Sequence, residues 1–128
     1  MANSFRDLIV WQRAMQLAVS IYRLTRDFPR EEIYGLTSQA RRSVVSISSN
    51  ISEGQGRLTR GGFRQFLGIA RGSTFELQTQ LEIARSLKMG DPRLLDEVDG
   101  LSREVGKMLF GMLESLKAIK RPSLAAGK

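Results

Sequence analysis

The sequence predicts an all-α protein, an antiparallel up-down-up-down four-helix bundle. Three observations carry that expectation. Apolar residues return every three or four positions in four separate stretches, no stretch alternates with a period of two, and the breaks between stretches are short. Short connections between long helices force sequence neighbours to run antiparallel, and four amphipathic helices bury their stripes most simply against one another. With 128 residues there is chain for one domain and its core, taken as residues 1–121 with a flexible tail at 122–128.

In the first helix Val10, Ala14, Leu17, Ile21, Leu24 and Phe28 form the stripe, with Asp7 placed to cap the start and Pro29 to close the end. The second stripe is Leu36, Ala40, Val44, Ile47 and Ile51, stopping at Gly54 and Gly56. The third opens near Thr59 or Gly61, runs through Phe63, Phe66, Leu67, Ala70, Leu77, Leu81 and Ala84, and ends at Met89 and Gly90. Asp91 followed by Pro92 reads as N-cap and first-turn proline. Behind them Leu95, Val98, Leu101, Val105, Met108, Leu109, Met112, Leu116 and Ile119 make a fourth helix that ends before Pro122. Acidic residues near its start (Asp91, Asp96, Glu97, Asp99) and basic ones near its end (Lys117, Lys120, Arg121) complement the helix dipole.

Composition excludes much chemistry. The chain has no cysteine and no histidine, which removes disulfides, thiolate nucleophiles, Cys/His zinc sites and histidine-based triads. No enzyme activity, cofactor or metal is therefore expected. The longest run without a charge is the ten residues from Ser43 to Ser52, half of what a bilayer span needs, and residues Met1–Asp7 lack the apolar core of a secretory signal. A cytoplasmic location and no membrane partner follow as expectations. Twenty Lys and Arg against 13 Asp and Glu leave a net charge of +7, which favours a polyanionic partner.

Three features stand out against this frame. The first helix is apolar over roughly 220° of arc, where a small bundle needs about 100 to 150°. The surplus, centred on Trp11, Met15, Val19 and Tyr22, lies either under the connector of residues 28–36 or against another subunit, and its aromatic and Met content favours a subunit interface. The second helix holds six serines, explained most simply by close approach to a third helix that carries Gly68 and Gly72. At its end Asn50 and Glu53 share a face and, with Gly54, are expected to make a structural clasp; a catalytic Glu53 would need a second group that the composition does not offer.

Fifteen of the 20 basic residues are arginine. Arg57, Arg64, Arg71 and Arg85 follow a seven-residue spacing with Gln78 in the gap, Arg60 joins their face, and Arg41 and Arg42 add charge on the second helix. Guanidinium groups bind phosphates bidentately, so the stripe could track a nucleic-acid backbone; the alternative is a solvated flank paired with Glu76 and Glu82. The glycines at 54, 56, 61 and 62 are no phosphate loop, since they lack the Gly-Lys-Ser/Thr ending and follow no strand.

The string FPREEIYGLTSQARRSVVSISSNISEGQGR, with FRQFLGIARGSTFEL after it and FRDLIVWQRA before it, resembles the signature of the four-helix-bundle proteins encoded in intervening sequences of 23S ribosomal RNA genes. The likeness spans most of residues 5–90. It implies a cytosolic, non-enzymatic bundle that assembles into homo-oligomeric rings, pentamers foremost. Similar bundles are accessory variability proteins of retroelements, whose basic surface is thought to engage nucleic acid. Two readings result: an oligomer that binds RNA or DNA through Arg41, Arg42, Arg57, Arg60, Arg64, Arg71 and Arg85, or an oligomeric scaffold for a protein partner in which the charge serves solubility.

Overall fold

A computed structural model describes residues 4–117. Its four helices are α1 (Ile9–Thr25), α2 (Leu36–Gln55), α3 (Arg60–Ser86) and α4 (Pro92–Ser115), with 3-10 turns at Phe5–Asp7 and Arg30–Glu32 and no strand among the described residues. Helix α1 packs on α2 and α4, and α3 packs on the same two, while neither diagonal pair touches. That square arrangement is the expected up-down-up-down bundle.

All six residues of the α1 stripe are buried, as are Leu36, Ala40, Val44, Ile47 and Ile51 of α2. Leu67, Ala70, Leu77, Leu81 and Ala84 of α3 and Leu95, Val98, Val105 and Leu109 of α4 complete the core. Phe63 on α3 and Leu101, Met108, Met112 and Leu116 toward the C-terminal side are only partly buried against it. Each fully buried Leu or Ile contributes about 1.5 to 3 kcal/mol, so the four interlocking stripes are the main source of stability.

The helix ends differ from expectation in four places. Asp7 does not cap α1: it lies inside the first 3-10 turn, and the N-cap is Leu8, which has no side-chain bond to give. The Gln12 side chain ties that turn to the helix instead, donating to the Arg6 carbonyl at 2.8 Å. Pro29 does not close α1 either, because the helix already ends at Thr25, whose hydroxyl donates to the Ile21 carbonyl at 2.7 Å. Phe28 reaches the core from the connector, and Pro29 opens the second 3-10 turn. Glu32 in that turn then accepts from the Leu36 amide at 2.9 Å and so caps α2 from outside the helix. Residue Lys117 lies past the end of α4 and pairs with Glu114 at 2.9 Å; Ile119, Lys120, Arg121 and the tail at 122–128 lie outside the described residues.

The starts of α3 and α4 form as read, whereas α3 ends at Ser86, short of the expected Met89 and Gly90. Thr59 accepts from the Gly62 amide at 3.0 Å, and Asp91 accepts from the Arg93 amide at 3.0 Å with Pro92 in the first turn. The α3–α4 turn needs Gly90: its φ is +80°, and a Cβ there would sit 2.9 Å from Leu24 Cδ1.

Candidate nucleic-acid interface and subunit face

The arginine stripe of α3 lies over the seam with α4, and α4 occupies much of it. Arg60 donates to the Ser115 carbonyl at 2.8 Å and Arg64 to the Leu113 carbonyl at 3.3 Å, so two guanidinium groups cap the C-terminal turn of α4 from the neighbouring helix. Arg85 meets Asp96 at 2.8 Å, a hydrogen bond that raises its pKa further above the ordinary guanidinium value and keeps the charge in place at any working pH. Arg57 covers the Phe66 ring at 4.3 Å and approaches Glu53 at 3.8 Å. The acidic partners are therefore Asp96 and Glu53, and neither Glu76 nor Glu82 makes an ion pair among the described residues. Glu76 faces the α2–α3 side instead, where it lines a cleft with Arg42, Ser46 and Gln80.

Arg71 is placed differently. Its guanidinium lies 4.8 Å from the Phe75 ring and 5.2 Å from the Phe110 ring, within a groove of about 400 Å³ that Gln78, Arg103, Gly106 and Lys107 also line.

Arg41 and Arg42 do not extend the α3 stripe. Arg41 turns toward α1, donating to Thr25 Oγ1 at 2.9 Å and stacking over Tyr22 at 4.6 Å. Beside it, Arg26 and Arg30 line the same cleft of about 260 Å³ with Thr25, Phe28, Pro29, Ile33 and Thr37, and among the described residues no carboxylate lines it. An adjoining groove carries Arg41 on to Arg42, Tyr22, Ile33 and Val45. The seven arginines read as one surface are thus divided: Arg60, Arg64, Arg71 and Arg85 lie toward α4, Arg41 and Arg42 line the α1–α2 groove, and Arg57 sits in the α2–α3 connection. Arg26 and Arg30 were missed because they sit in the last turn and connector, where no helical period singles them out.

On α1 the apolar surplus is only partly covered by its own chain. Trp11 is half-buried by its own chain: it packs against the core and meets the Phe5 ring edge-on at 5.2 Å. Met15, Val19 and Tyr22 stay exposed, at 39, 55 and 43%, so the connector of residues 28–36 does not roof them.

The clasp is not built as drawn. Asn50 turns back along α2 and donates to the Ser46 carbonyl at 2.8 Å and the Ser46 hydroxyl at 3.0 Å, while Glu53 points toward Arg57. Both bonds run along the helix, so no bond joins the two residues. Gly54 is a contact point, since a Cβ there would lie 2.9 Å from Phe66 Cβ. It lets α2 and α3 approach, aided by the Ser46–Ser73 hydroxyl pair at 2.9 Å. Gly68 and Gly72 take no part in that approach, because a Cβ on either would meet nothing within 4 Å.

The sequence profile described as "23S rRNA-intervening sequence protein" matches residues 6–111. The chain belongs to that family. A solved structure with the same fold is a protein of unknown function from the S23 ribosomal protein family of Bacteroides thetaiotaomicron VPI-5482. It shares 23% identity at a TM-score of 0.75, covering 83% of this chain and 99% of the other. No curated protein matches the sequence. This member of the intervening-sequence family shares its fold with that solved structure. No described helix of this family member is long and apolar enough to cross a membrane.

Proposed function

We propose that this protein is a non-enzymatic homo-oligomer, a pentameric ring foremost, that binds RNA or DNA through the phosphate backbone. The observation that carries the reading is the cleft at the α1–α2 end, where Arg26, Arg30 and Arg41 converge and no carboxylate lines the walls. Guanidinium groups gathered without acidic partners repel one another, and a phosphate relieves that repulsion while releasing the counterions of the nucleic acid. The net charge of +7 supports long-range attraction of the same partner. The alternative reading, a scaffold for a protein partner, keeps the same oligomer, built on the exposed Met15, Val19 and Tyr22, and leaves the arginines as solubilising charge.

Salt separates the two. Each phosphate contact contributes roughly −0.7 to −0.9 to the slope of log affinity against log salt, whereas an apolar contact contributes little. In an anisotropy titration with labelled RNA, Arg26→Gln with Arg30→Gln should flatten the slope by about 1.5 units per protomer engaged. Absence of binding at low salt, or an unchanged slope in the double variant, would overturn the reading.

A further inference from the structure

The groove between α3 and α4 holds a combination that net charge does not explain. Phe75 on α3 and Phe110 on α4 flank Arg71, and 48% of one and 49% of the other remain open to solvent. Large apolar rings are normally withdrawn from water, and neither is needed by the core, which closes beneath them on Leu77, Val105 and Leu109. Arg103 and Lys107 stand on the rim, and no carboxylate lines the groove, although Asp99 meets Arg103 at 3.2 Å from along α4. Gly106 adds no side chain to the floor, next to Thr74 and Gln78.

Rings that can stack, cations that can follow a phosphate chain and an open floor are the parts of a single-strand binding surface. Successive bases lie on aromatic faces or guanidinium planes while the backbone follows the positive rim. A duplex cannot use the rings, because its bases already stack on one another. We infer that this groove is a base-stacking platform for single-stranded nucleic acid, Phe75 and Phe110 receiving bases and Arg71, Arg103 and Lys107 meeting phosphates. The inference rests on the nucleic-acid reading above and assigns it a strand form and a place.

Anisotropy titrations of the intact protein with a labelled oligouridylate and with an RNA duplex of equal length test it. Wild type should bind the single strand more tightly. Phe75→Leu with Phe110→Leu should weaken single-strand binding by about 25-fold or more, since stacking on each ring is worth at least about fivefold. Duplex affinity, the salt slope and the sedimentation coefficient should stay as they are. Phe110→Trp keeps a stacking ring and adds a fluorophore, so it should retain single-strand affinity and be quenched by oligouridylate. Unchanged single-strand binding in the leucine variant, an unquenched tryptophan, or a smaller sedimenting species, which would make the groove a subunit contact, overturns the inference while duplex binding leaves the broader reading standing. If neither probe binds wild type, both fall together.

Discussion

Single residues decide how closely α2 and α3 lie. At Gly54 an added methyl would meet Phe66 Cβ at 2.9 Å and Phe63 Cδ1 at 3.1 Å, and the first of these contacts is to an atom fixed on the backbone of α3. Overpacking of this kind costs about 1 to 3 kcal/mol, more than alanine recovers by helix propensity one residue from the helix end. At Gly68 the same methyl enters open space, so only the propensity term acts. Gly54→Ala should lower the midpoint of chemical denaturation, and Gly68→Ala should raise stability by about 0.4 to 1 kcal/mol. Equal shifts of one sign would show that backbone approach is not what Gly54 provides. Glu53→Gln removes only an exposed pairing to Arg57 at 3.8 Å and should change stability by less than about 1 kcal/mol.

At the scale of elements, the α3 arginines show where reading a sequence stops. Their seven-residue spacing correctly places Arg64, Arg71 and Arg85 along one side of α3, because helical period is a local property, but it carries Arg57 onto a helix that starts only at Arg60, whereas Arg57 lies in the α2–α3 connection. What lies across from them is set by α4, between 11 and 55 residues on, and periodicity carries no information about it. Arg60 and Arg64 therefore read as free charge although they meet the carbonyls of Ser115 and Leu113. The stripes of the core were legible for the complementary reason: burial follows from each helix's own pattern, whichever helix it meets. Asp7 misled because a 3-10 turn intervened, and turn geometry depends on bonds such as Leu8 N to Phe5 O that composition does not reveal. Phe75 and Phe110 escaped notice because each is an unremarkable exposed residue on its own helix, and only the seam joins them. If the two arginines cap α4, Arg60→Gln with Arg64→Gln should loosen its last turn. Charges near a helix C-terminus are worth about 0.3 to 1 kcal/mol each, so amide exchange at residues 113–116 should quicken by roughly 3- to 30-fold. The core helices should exchange as before, and an unaltered last turn would mean that the two contacts carry no capping energy.

The whole molecule presents two kinds of surface that respond oppositely to salt. The α1 face is apolar: Met15, Val19 and Tyr22 are exposed one turn apart, and Val45 and Ile33 adjoin Tyr22 across the α2 groove. Such a face is favoured in an interface with another copy, and that association must bring together protomers that each carry +7. Screening weakens the repulsion between protomers, so assembly should strengthen with salt, while phosphate binding weakens with it. Val19 is the clean place to test assembly, because its side chain is more than half exposed and outside the core, whereas Trp11 also supports Phe5 and the bundle. Val19→Asp places a charge in the centre of the apolar face and should give a smaller sedimenting species with unchanged helical circular dichroism. Raising salt should shift wild type toward the assembly and leave the variant small, since screening does not remove the cost of burying an unpaired carboxylate. Sedimentation of the wild type as a monomer at micromolar concentration and high salt would refute the interface. An assembly that survives Val19→Asp would place the subunit contact elsewhere on the bundle.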